Sequence, residues 1–373
     1  MATPEPAPAE GADAKKDARP DFKLTWSGLR RPRAVTGDVA EDVAVPAPQP
    51  PVIGLALGSG SARGWSHIGV ILELEALGIR PQVVAGTSIG ALVGAVYAAG
   101  QLQELADWVS ALTVRDVMGL MDVTFTGGGM VRGEKLFSTF AERHSNPNIE
   151  DLALRYASVC TEMASGREIW ITQGPILTAA RASCALPGVF TPVKHQGRWM
   201  LDGGLVNPVP VSTCRALGAD VVIAVNLNAQ LVGAHWSRAS RLQAEQEIAA
   251  PSTPLAEVNA INSGGGLPSD DARGRNDARA GRGFWQKVMG YLESSDPDRP
   301  ALFDVVAASV NIMQDRLTRS RMAGDPPEIT LVPLLEDYAL MDFHRAEQAI
   351  AEGRALVRRH EAELCAWAQP AAR

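Results

Sequence analysis

A strand–turn–helix unit around Ser88 constrains the fold of this chain more than any other feature. The run RPQVVA has the apolar character of a buried strand, GTSIG follows it at residues 86–90, and a helix of small apolar residues comes next. Upstream, the strand-like VIGLALG leads through a glycine-rich loop into the helical pattern HIGVILELEALG, which stops at Gly78. Strand, helix, strand and helix in this order predict an α/β fold with a mostly parallel central sheet flanked by helices.

Composition divides the chain into four parts. Residues 1–51 are rich in Ala, Pro and mixed charge, which predicts a disordered tail because too little apolar surface is present to offset the entropy of ordering. Residues 52–230 have the pattern of the α/β domain. Residues 231–299 predict a flexible insertion that carries a short amphipathic helix, FWQKVMGYL, at 284–292. Residues 300–373 predict helices and a late strand, ITLVPLL, that complete the domain.

Charge and cysteine content exclude several classes of function. The 373 residues carry a net charge of −7 with both signs scattered, so no basic stripe indicates nucleic acid binding. The four cysteines are widely spaced and contain no C-x-x-C, which indicates neither a zinc site nor a disulfide framework. No apolar run reaches the roughly 18 residues of a spanning helix, and the first residues lack a signal-peptide pattern. We therefore expect a cytoplasmic protein.

Ser88, at the centre of a G-x-S-x-G motif, is a candidate nucleophile. On a sharp turn between strand and helix the backbone exposes the serine hydroxyl, and Gly86 and Gly90 allow the strand and helix to pack closely. The N-terminus of the helix also favours negative charge that develops beside it. The motif alone arises by chance in a chain with 35 glycines, so its strand–turn–helix context carries the prediction.

Two further motifs are predicted to meet Ser88 at one edge of the sheet. The loop GSGSARG at residues 58–64 exposes backbone N–H groups suited to stabilising an oxyanion. A dinucleotide-binding loop is disfavoured because Arg63 stands where that spacing needs Gly or Ala. The stretch LDGG places Asp202 at a strand end, where its carboxylate can accept a proton from Ser88, although an ordinary Asp-Gly turn is the better explanation of these residues taken alone.

A serine triad would also need an imidazole. Of the six histidines, only His344 arrives late enough in the chain to imitate the Ser–Asp–His order of the α/β-hydrolases, and no histidine lies in a local motif. An esterase of that type using His344 is therefore an alternative.

Taken together, the three motifs resemble the patatin-like phospholipase family. RASCALPGVFTPV before LDGG extends the resemblance over about residues 53–228, and MDFHRAEQAIAEG is similar to the bacterial branch related to neuropathy target esterase. The resemblance implies a three-layer patatin-like fold and a serine-dependent lipid acyl hydrolase without cofactor, metal or histidine relay. It implies Ser88 as the nucleophile and Asp202 as the general base.

The resemblance also implies roles for neighbouring residues. The amides of Gly60, Ser61 and Ala62 would form the oxyanion hole. Loop and turn support would come from Arg63, Gly64, Gly86, Gly90, Gly203 and Gly204. The family usually has glycine where Ser59 and Ser61 stand, and the two serines restrict the backbone freedom of the loop.

The expected substrate is a phospholipid, a lysophospholipid or a related acyl lipid, with peripheral membrane contact as a further expectation. A non-enzymatic member that binds lipid or protein is the other alternative.

Overall fold

The computed structural model of the protein describes residues 50–120, 129–229 and 302–368. The predicted tail up to residue 49, the predicted insertion and the predicted helix at 284–292 lie outside the described residues.

The described residues contain ten strands. They are β1 Ile53–Leu57, β2 Val83–Thr87, β3 Gly129–Val131, β4 Arg155–Glu162, β5 Glu168–Ile171, β6 Gly188–Phe190, β7 Val193–His195, β8 Arg198–Asp202, β9 Val221–Val225 and β10 Ile329–Leu331. All residues of β1, β2 and β9 are buried, as expected for parallel strands that are covered on both faces.

The helices of the described residues surround these strands. They are α1 Ser66–Ala76, α2 Ile89–Ala98, α3 Leu102–Ser110, α4 Val114–Leu120, α5 Glu134–Arg143, α6 Ile176–Ser183, α7 Val211–Ala216, α8 Leu302–Gly324, α9 Ala346–Arg359 and α10 Glu361–Ala368. None of them combines the length and the hydropathy that crossing a bilayer requires.

The main sheet is mostly parallel, which confirms the predicted fold class. Its strands lie in the order β10-β9-β1-β2-β4-β8-β7, and β5 pairs with β4 outside this order. The neighbours from β10 to β4 are parallel, whereas β8 is antiparallel to β4 and β7 is antiparallel to β8. Strands β3 and β6 form a separate parallel pair. Helices cover both faces of the main sheet, so the part of the chain that the structure describes has three layers.

The two faces of the sheet bury cores of different size. Alternate residues of β1 point to opposite faces, so that Leu55 and Leu57 join the larger core while Ala56 joins the smaller one. The larger core contains apolar residues of α1, α2, α3 and α9. Helix α9 is also tied to α1 by an ion pair, in which the Glu73 carboxylate accepts hydrogen bonds from Arg358 Nε at 2.6 Å and from Arg354 at 3.3 Å.

The end of the chain differs from the single closing helix that its pattern predicts from Phe343 to Leu364. Residues Phe343–Arg345 form a 3₁₀ turn, the α-helix begins at Ala346, and it ends at Arg359. His360 has φ −110° and ψ 13°, which is outside helical geometry, so a separate helix α10 follows it.

Candidate active site

Ser88 lies on a strained turn between β2 and α2. Its φ is 56° and its ψ is −125°, a conformation that a residue with a side chain seldom adopts. Close packing maintains this turn, because a Cβ atom on Gly90 would lie 2.2 Å from the carbonyl oxygen of Leu57 at the end of β1. The other predicted support residues also pack here, with Gly86 against α2 and Gly64 against Ile89.

Asp202 reaches Ser88 because of the register of β4. Thr87 of β2 pairs with Val159 on β4, and the next residue of β4, Cys160, pairs with Asp202 of β8. The Ser88 hydroxyl donates a hydrogen bond to Asp202 Oδ2, with 2.6 Å between the two oxygen atoms. Gly203 allows this approach, since a Cβ atom there would lie 2.1 Å from the carbonyl oxygen of Val159. The structure therefore brings the two residues together across 114 positions of sequence.

The backbone around Asp202 is held on both sides. The N–H of Gly204 donates to Asp202 Oδ1 at 2.7 Å, and the hydroxyl of Thr161 donates to the Asp202 carbonyl oxygen at 2.8 Å. The backbone N–H of Ser88 donates to the hydroxyl of Ser183 at 2.8 Å, and Ser183 donates in turn to Val159. These contacts hold both side chains in place.

The arrangement favours a Ser–Asp pair over the alternative that uses His344. In the described ranges no histidine ring makes a hydrogen bond with Ser88 or Asp202, and His344 is exposed in the 3₁₀ turn before α9. The same ranges contain no group of three or more His, Cys, Asp or Glu side chains placed to hold a metal ion.

The Asp202 carboxyl group is fully buried, and burial raises its pKa to about 6. The cause is desolvation, which disfavours the charged form, while the hydrogen bonds from Ser88 and Gly204 oppose it. The group is therefore largely ionised at pH 7 and more basic than an exposed aspartate, whose pKa is about 4.

The glycine-rich loop emerges beside Ser88, at the carboxyl end of β1. Its first residues are anchored by backbone hydrogen bonds from Gly58 to Val225 at 3.0 Å and from Ser59 to Pro208 at 2.8 Å. Ser61 adopts φ 52°, and its hydroxyl donates to the carbonyl oxygen of Leu340 at 2.6 Å. The serine thus occupies a left-handed conformation that glycine adopts more readily, with a hydrogen bond that helps to hold it there.

The loop differs from the sequence-based expectation at Ala62. The N–H of Ala62 donates to the same Leu340 carbonyl at 3.3 Å, so this amide is not free for an oxyanion. The amides of Gly60 and Ser61 have no acceptor within the described residues.

Two buried side chains, those of Arg63 and His67, hold the glycine-rich loop in place through hydrogen bonds. Arg63 donates to the Tyr338 carbonyl oxygen at 3.3 Å and to Asn228 Oδ1 at 3.2 Å. The His67 ring is fully buried, and its Nε2 lies 2.8 Å from the carbonyl oxygen of Gly58. Burial lowers the pKa of His67 to about 4, so its neutral ring donates to Gly58 from Nε2 at neutral pH.

A large cavity opens onto Ser88. The space between its lining residues, including the part that is open to solvent, is about 1030 Å³. Its polar lining residues are Ser59, Gly60, Ser61, Ser88, Asp202, Asn311 and Gln314, and much of the remainder is aromatic or aliphatic. The aromatic part includes Trp108, which packs edge-to-face against Phe140 with ring centroids 4.8 Å apart. The cavity therefore combines a polar region at the Ser–Asp pair with an extensive apolar wall.

Comparisons with known proteins identify the family of the region that contains Ser88 and Asp202. A family model described as patatin-like phospholipase matches residues 55–215. An uncharacterized NTE family protein of Mycobacterium tuberculosis is 35% identical over 324 residues, which cover 82% of this chain and 90% of that protein. The chain belongs to the patatin-like phospholipase family.

More distant relatives are much longer proteins, and each matches this chain over a small part of its own length. Human patatin-like phospholipase domain-containing protein 6 is 33% identical over 185 residues, covering 48% of this chain and 14% of that protein. A protein of Yarrowia lipolytica named lysophospholipase NTE1 is 36% identical over 183 residues, covering 47% of this chain and 12% of that protein. Membership of the patatin-like phospholipase family makes the chain a hydrolase of the lipid acyl hydrolase class.

The sequence motifs did not indicate several residues that shape this site. Ser183 and Thr161 hold the backbone of the Ser–Asp pair, and Asn228 and Gln314 contact the glycine-rich loop. Ser183 lies inside the RASCALPG stretch, but nothing in that stretch shows that its hydroxyl faces Ser88. The other contacts join residues far apart in the chain.

The buried Asp202 carboxyl predicts a pH-dependent stability difference between the wild type and Asp202→Asn. Because its folded pKa is raised, the carboxyl contributes stability that is fully present below its unfolded pKa of 3.8 and is lost as the pH rises through about 6. The variant does not titrate, so relative to the wild type it should gain about 2 kcal/mol between pH 4 and pH 7. Urea unfolding across this range measures the difference. A difference that stays constant with pH would contradict the assignment.

Proposed function

We propose that the protein hydrolyses the carboxylic ester of a phospholipid or lysophospholipid through a Ser88–Asp202 dyad and an acyl-enzyme. The observation that carries the proposal is the 2.6 Å hydrogen bond from the Ser88 hydroxyl to the buried Asp202 carboxylate. A hydroxyl attacks an ester carbonyl only when a base accepts its proton, and Asp202 is the base within reach.

In the first half of the proposed reaction, Ser88 Oγ attacks the carbonyl carbon of the ester while its proton passes to Asp202. The pKa of Asp202, raised to about 6, makes this carboxylate a better proton acceptor than an exposed one. The tetrahedral intermediate then collapses, the C–O bond to the alcohol breaks, and Asp202 returns the proton to the departing alkoxide. The acyl group remains on Ser88 as an ester.

The negative charge on the oxygen of the tetrahedral intermediate needs hydrogen-bond donors, which the glycine-rich loop supplies. We assign this role to the amides of Gly60 and Ser61, which line the cavity next to Ser88. One well-placed donor of this kind contributes about 3–4 kcal/mol to the transition state. The N-terminus of α2 adds a favourable dipole at the same position.

In the second half, water attacks the acyl carbonyl and gives a proton to Asp202. Collapse of the second intermediate releases the fatty acid, and the proton returns to Ser88. The same base and the same amides serve both halves.

The apolar wall of the cavity suits the acyl chain of such a substrate. It consists in large part of side chains from α3, α4 and α5, which are Trp108, Val117, Leu120, Leu136, Phe137 and Phe140. Transfer of each methylene group from water to such a wall contributes about 0.8 kcal/mol. An acyl lipid therefore fits the cavity better than a small polar ester does.

Replacement of either member of the dyad tests the proposal. Ser88→Ala removes the nucleophile and Asp202→Asn removes the base, so each should lower lysophospholipid hydrolysis by about 10³-fold or more. Ser110→Ala and Asp107→Asn, two exposed positions on α3, serve as controls that should keep wild-type turnover. A fluorophosphonate probe should label the wild type but not Ser88→Ala. Wild-type turnover in both dyad variants would overturn the proposal, and loss of activity in His344→Ala alone would favour the alternative.

The pH dependence of kcat/KM tests the role of Asp202 separately. The base must be ionised, so kcat/KM should fall about tenfold per pH unit below pH 6 and stay level above it. Initial rates with a neutral ester substrate, whose own charge does not change over this range, give the profile. A profile that is flat down to pH 4.5 would exclude Asp202 as the base.

Narrowing the apolar wall tests the placement of the acyl chain. Leu112 lines the cavity and is half-buried against the larger core, so Leu112→Trp adds bulk to the cavity wall. Hydrolysis of a p-nitrophenyl ester with a sixteen-carbon chain should fall at least tenfold, while the four-carbon ester should be unaffected. Leu77→Trp, half-buried outside the cavity, is the matched control. Equal losses with both esters in Leu112→Trp would show that the acyl chain lies elsewhere.

A further inference from the structure

Helix α8 buries a polar stripe where an amphipathic helix normally buries an apolar one. Four polar side chains at spacing i, i+3, i+4 and i+7 are no more than 6% exposed; they are Asn311, Gln314, Asp315 and Thr318. The exposed apolar residues of the same helix are Val305, Val306, Ile312 and Met313. This reversal points to a specific use of the inward stripe, because burial of polar groups is unfavourable unless they are hydrogen-bonded.

A chain of hydrogen bonds determines which way the Gln314 amide faces. Arg63 has only donors, so its bond at 3.2 Å fixes Asn228 Oδ1 as the acceptor and turns Asn228 Nδ2 away from it. Asn228 Nδ2 then donates to Gln314 Oε1 at 2.8 Å. The Ser59 hydroxyl donates to the same Oε1 atom at 2.9 Å. Gln314 Oε1 is therefore the shared acceptor of a buried network that begins at Arg63.

We propose that Gln314 is a positioning residue for the glycine-rich loop, an inference that rests on the proposed function of that loop. Its Oε1 holds Ser59, the residue immediately before Gly60, and thereby sets where the Gly60 and Ser61 amides lie relative to Ser88. Leu340 holds the loop from the other end, through the bond from the Ser61 hydroxyl. The loop thus lies between two anchors, both from the C-terminal part of the chain.

The Nε2 atom of Gln314 lies beside the dyad. A Cβ atom on Gly204 would be 2.3 Å from Gln314 Nε2 and 2.9 Å from Asp202 Oδ1, so these two atoms are no further apart than the sum of those distances. Gln314 also lines the cavity. A charge introduced at this side chain would therefore act directly on Asp202.

Gln314→Leu tests the positioning role by removing the acceptor at nearly constant volume. A small displacement of a catalytic group can lower turnover a hundredfold, so kcat should fall about tenfold to a hundredfold with little change in KM. Affinity for an alkyl trifluoromethyl ketone, which forms an oxyanion on the serine, should fall by a similar factor. Thr318→Val is the matched control one turn along the same stripe, where the buried hydroxyl has no partner within the described residues. It should keep wild-type kcat.

Two further variants separate positioning from folding. Gln314→Glu keeps an acceptor oxygen in place, so at high pH it should recover most of the kcat that Gln314→Leu loses. The acidic limb of its pH–rate profile should move to higher pH, because a second carboxylate opposes ionisation of Asp202. Ser59→Ala removes the hydroxyl that Gln314 holds, so its effect on kcat should be less than additive with that of Gln314→Leu. If Gln314→Leu does not fold, the pH profile of Gln314→Glu carries the test.

The results distinguish this inference from the proposed function. Wild-type kcat and inhibitor affinity in Gln314→Leu, or an unshifted pH profile in Gln314→Glu, would overturn the positioning role if Ser88→Ala is inactive in the same assay. Full activity of Ser88→Ala would overturn the proposed function itself, whatever Gln314 does.

Discussion

The hydrogen bond between Ser88 and the buried Asp202 is the interaction on which the site depends. It exists because β4 lies between the strands that carry the two residues, with Val159 paired to Thr87 and Cys160 paired to Asp202. Burial of the carboxyl group has a stability cost, since the pKa of Asp202 rises to about 6 and the ionised form is disfavoured. The same burial makes the carboxylate a better proton acceptor than an exposed aspartate.

The glycine-rich loop shows that the site extends beyond the region the family model matches. That region ends at residue 215, whereas the loop is anchored by Asn228, Gln314 and Leu340. Gln314 of α8 and Leu340, which precedes α9, therefore both contact the loop that lies beside Ser88. In our account they compensate for a loop that carries two serines, one of which has a positive φ. The positive φ of Ser61 is a local feature of the loop, whereas the acceptors that stabilise the loop, on Gln314 and Leu340, come from distant positions in the chain.

Local patterns predicted most elements of this fold and the candidate residues Ser88 and Asp202, because those features are encoded over short stretches, whereas the pairing of these two residues was implied by the resemblance to the family. The elbow around Ser88 needs glycine at residues 86 and 90 between a strand and a helix, which is readable from one stretch of sequence. The contact from Ser59 to Gln314 spans 255 residues and was not predictable in this way. The orientation of α8 was also not predictable from periodicity. An amphipathic pattern predicts that the apolar side of a helix is buried, whereas α8 buries polar side chains. The Ala62 amide was misassigned because its acceptor, Leu340, is equally remote.

Direct detection of the covalent intermediate tests the central claim most sharply. A rapid-quench reaction with a lysophospholipid, digested and analysed by mass spectrometry, should give one acyl group on the peptide that contains Ser88, formed before the fatty acid accumulates. Asp202→Asn should form that adduct far more slowly, and Ser88→Ala should not form it. An acyl group on a different residue, or rapid release of fatty acid from the Ser88→Ala variant, would contradict the account.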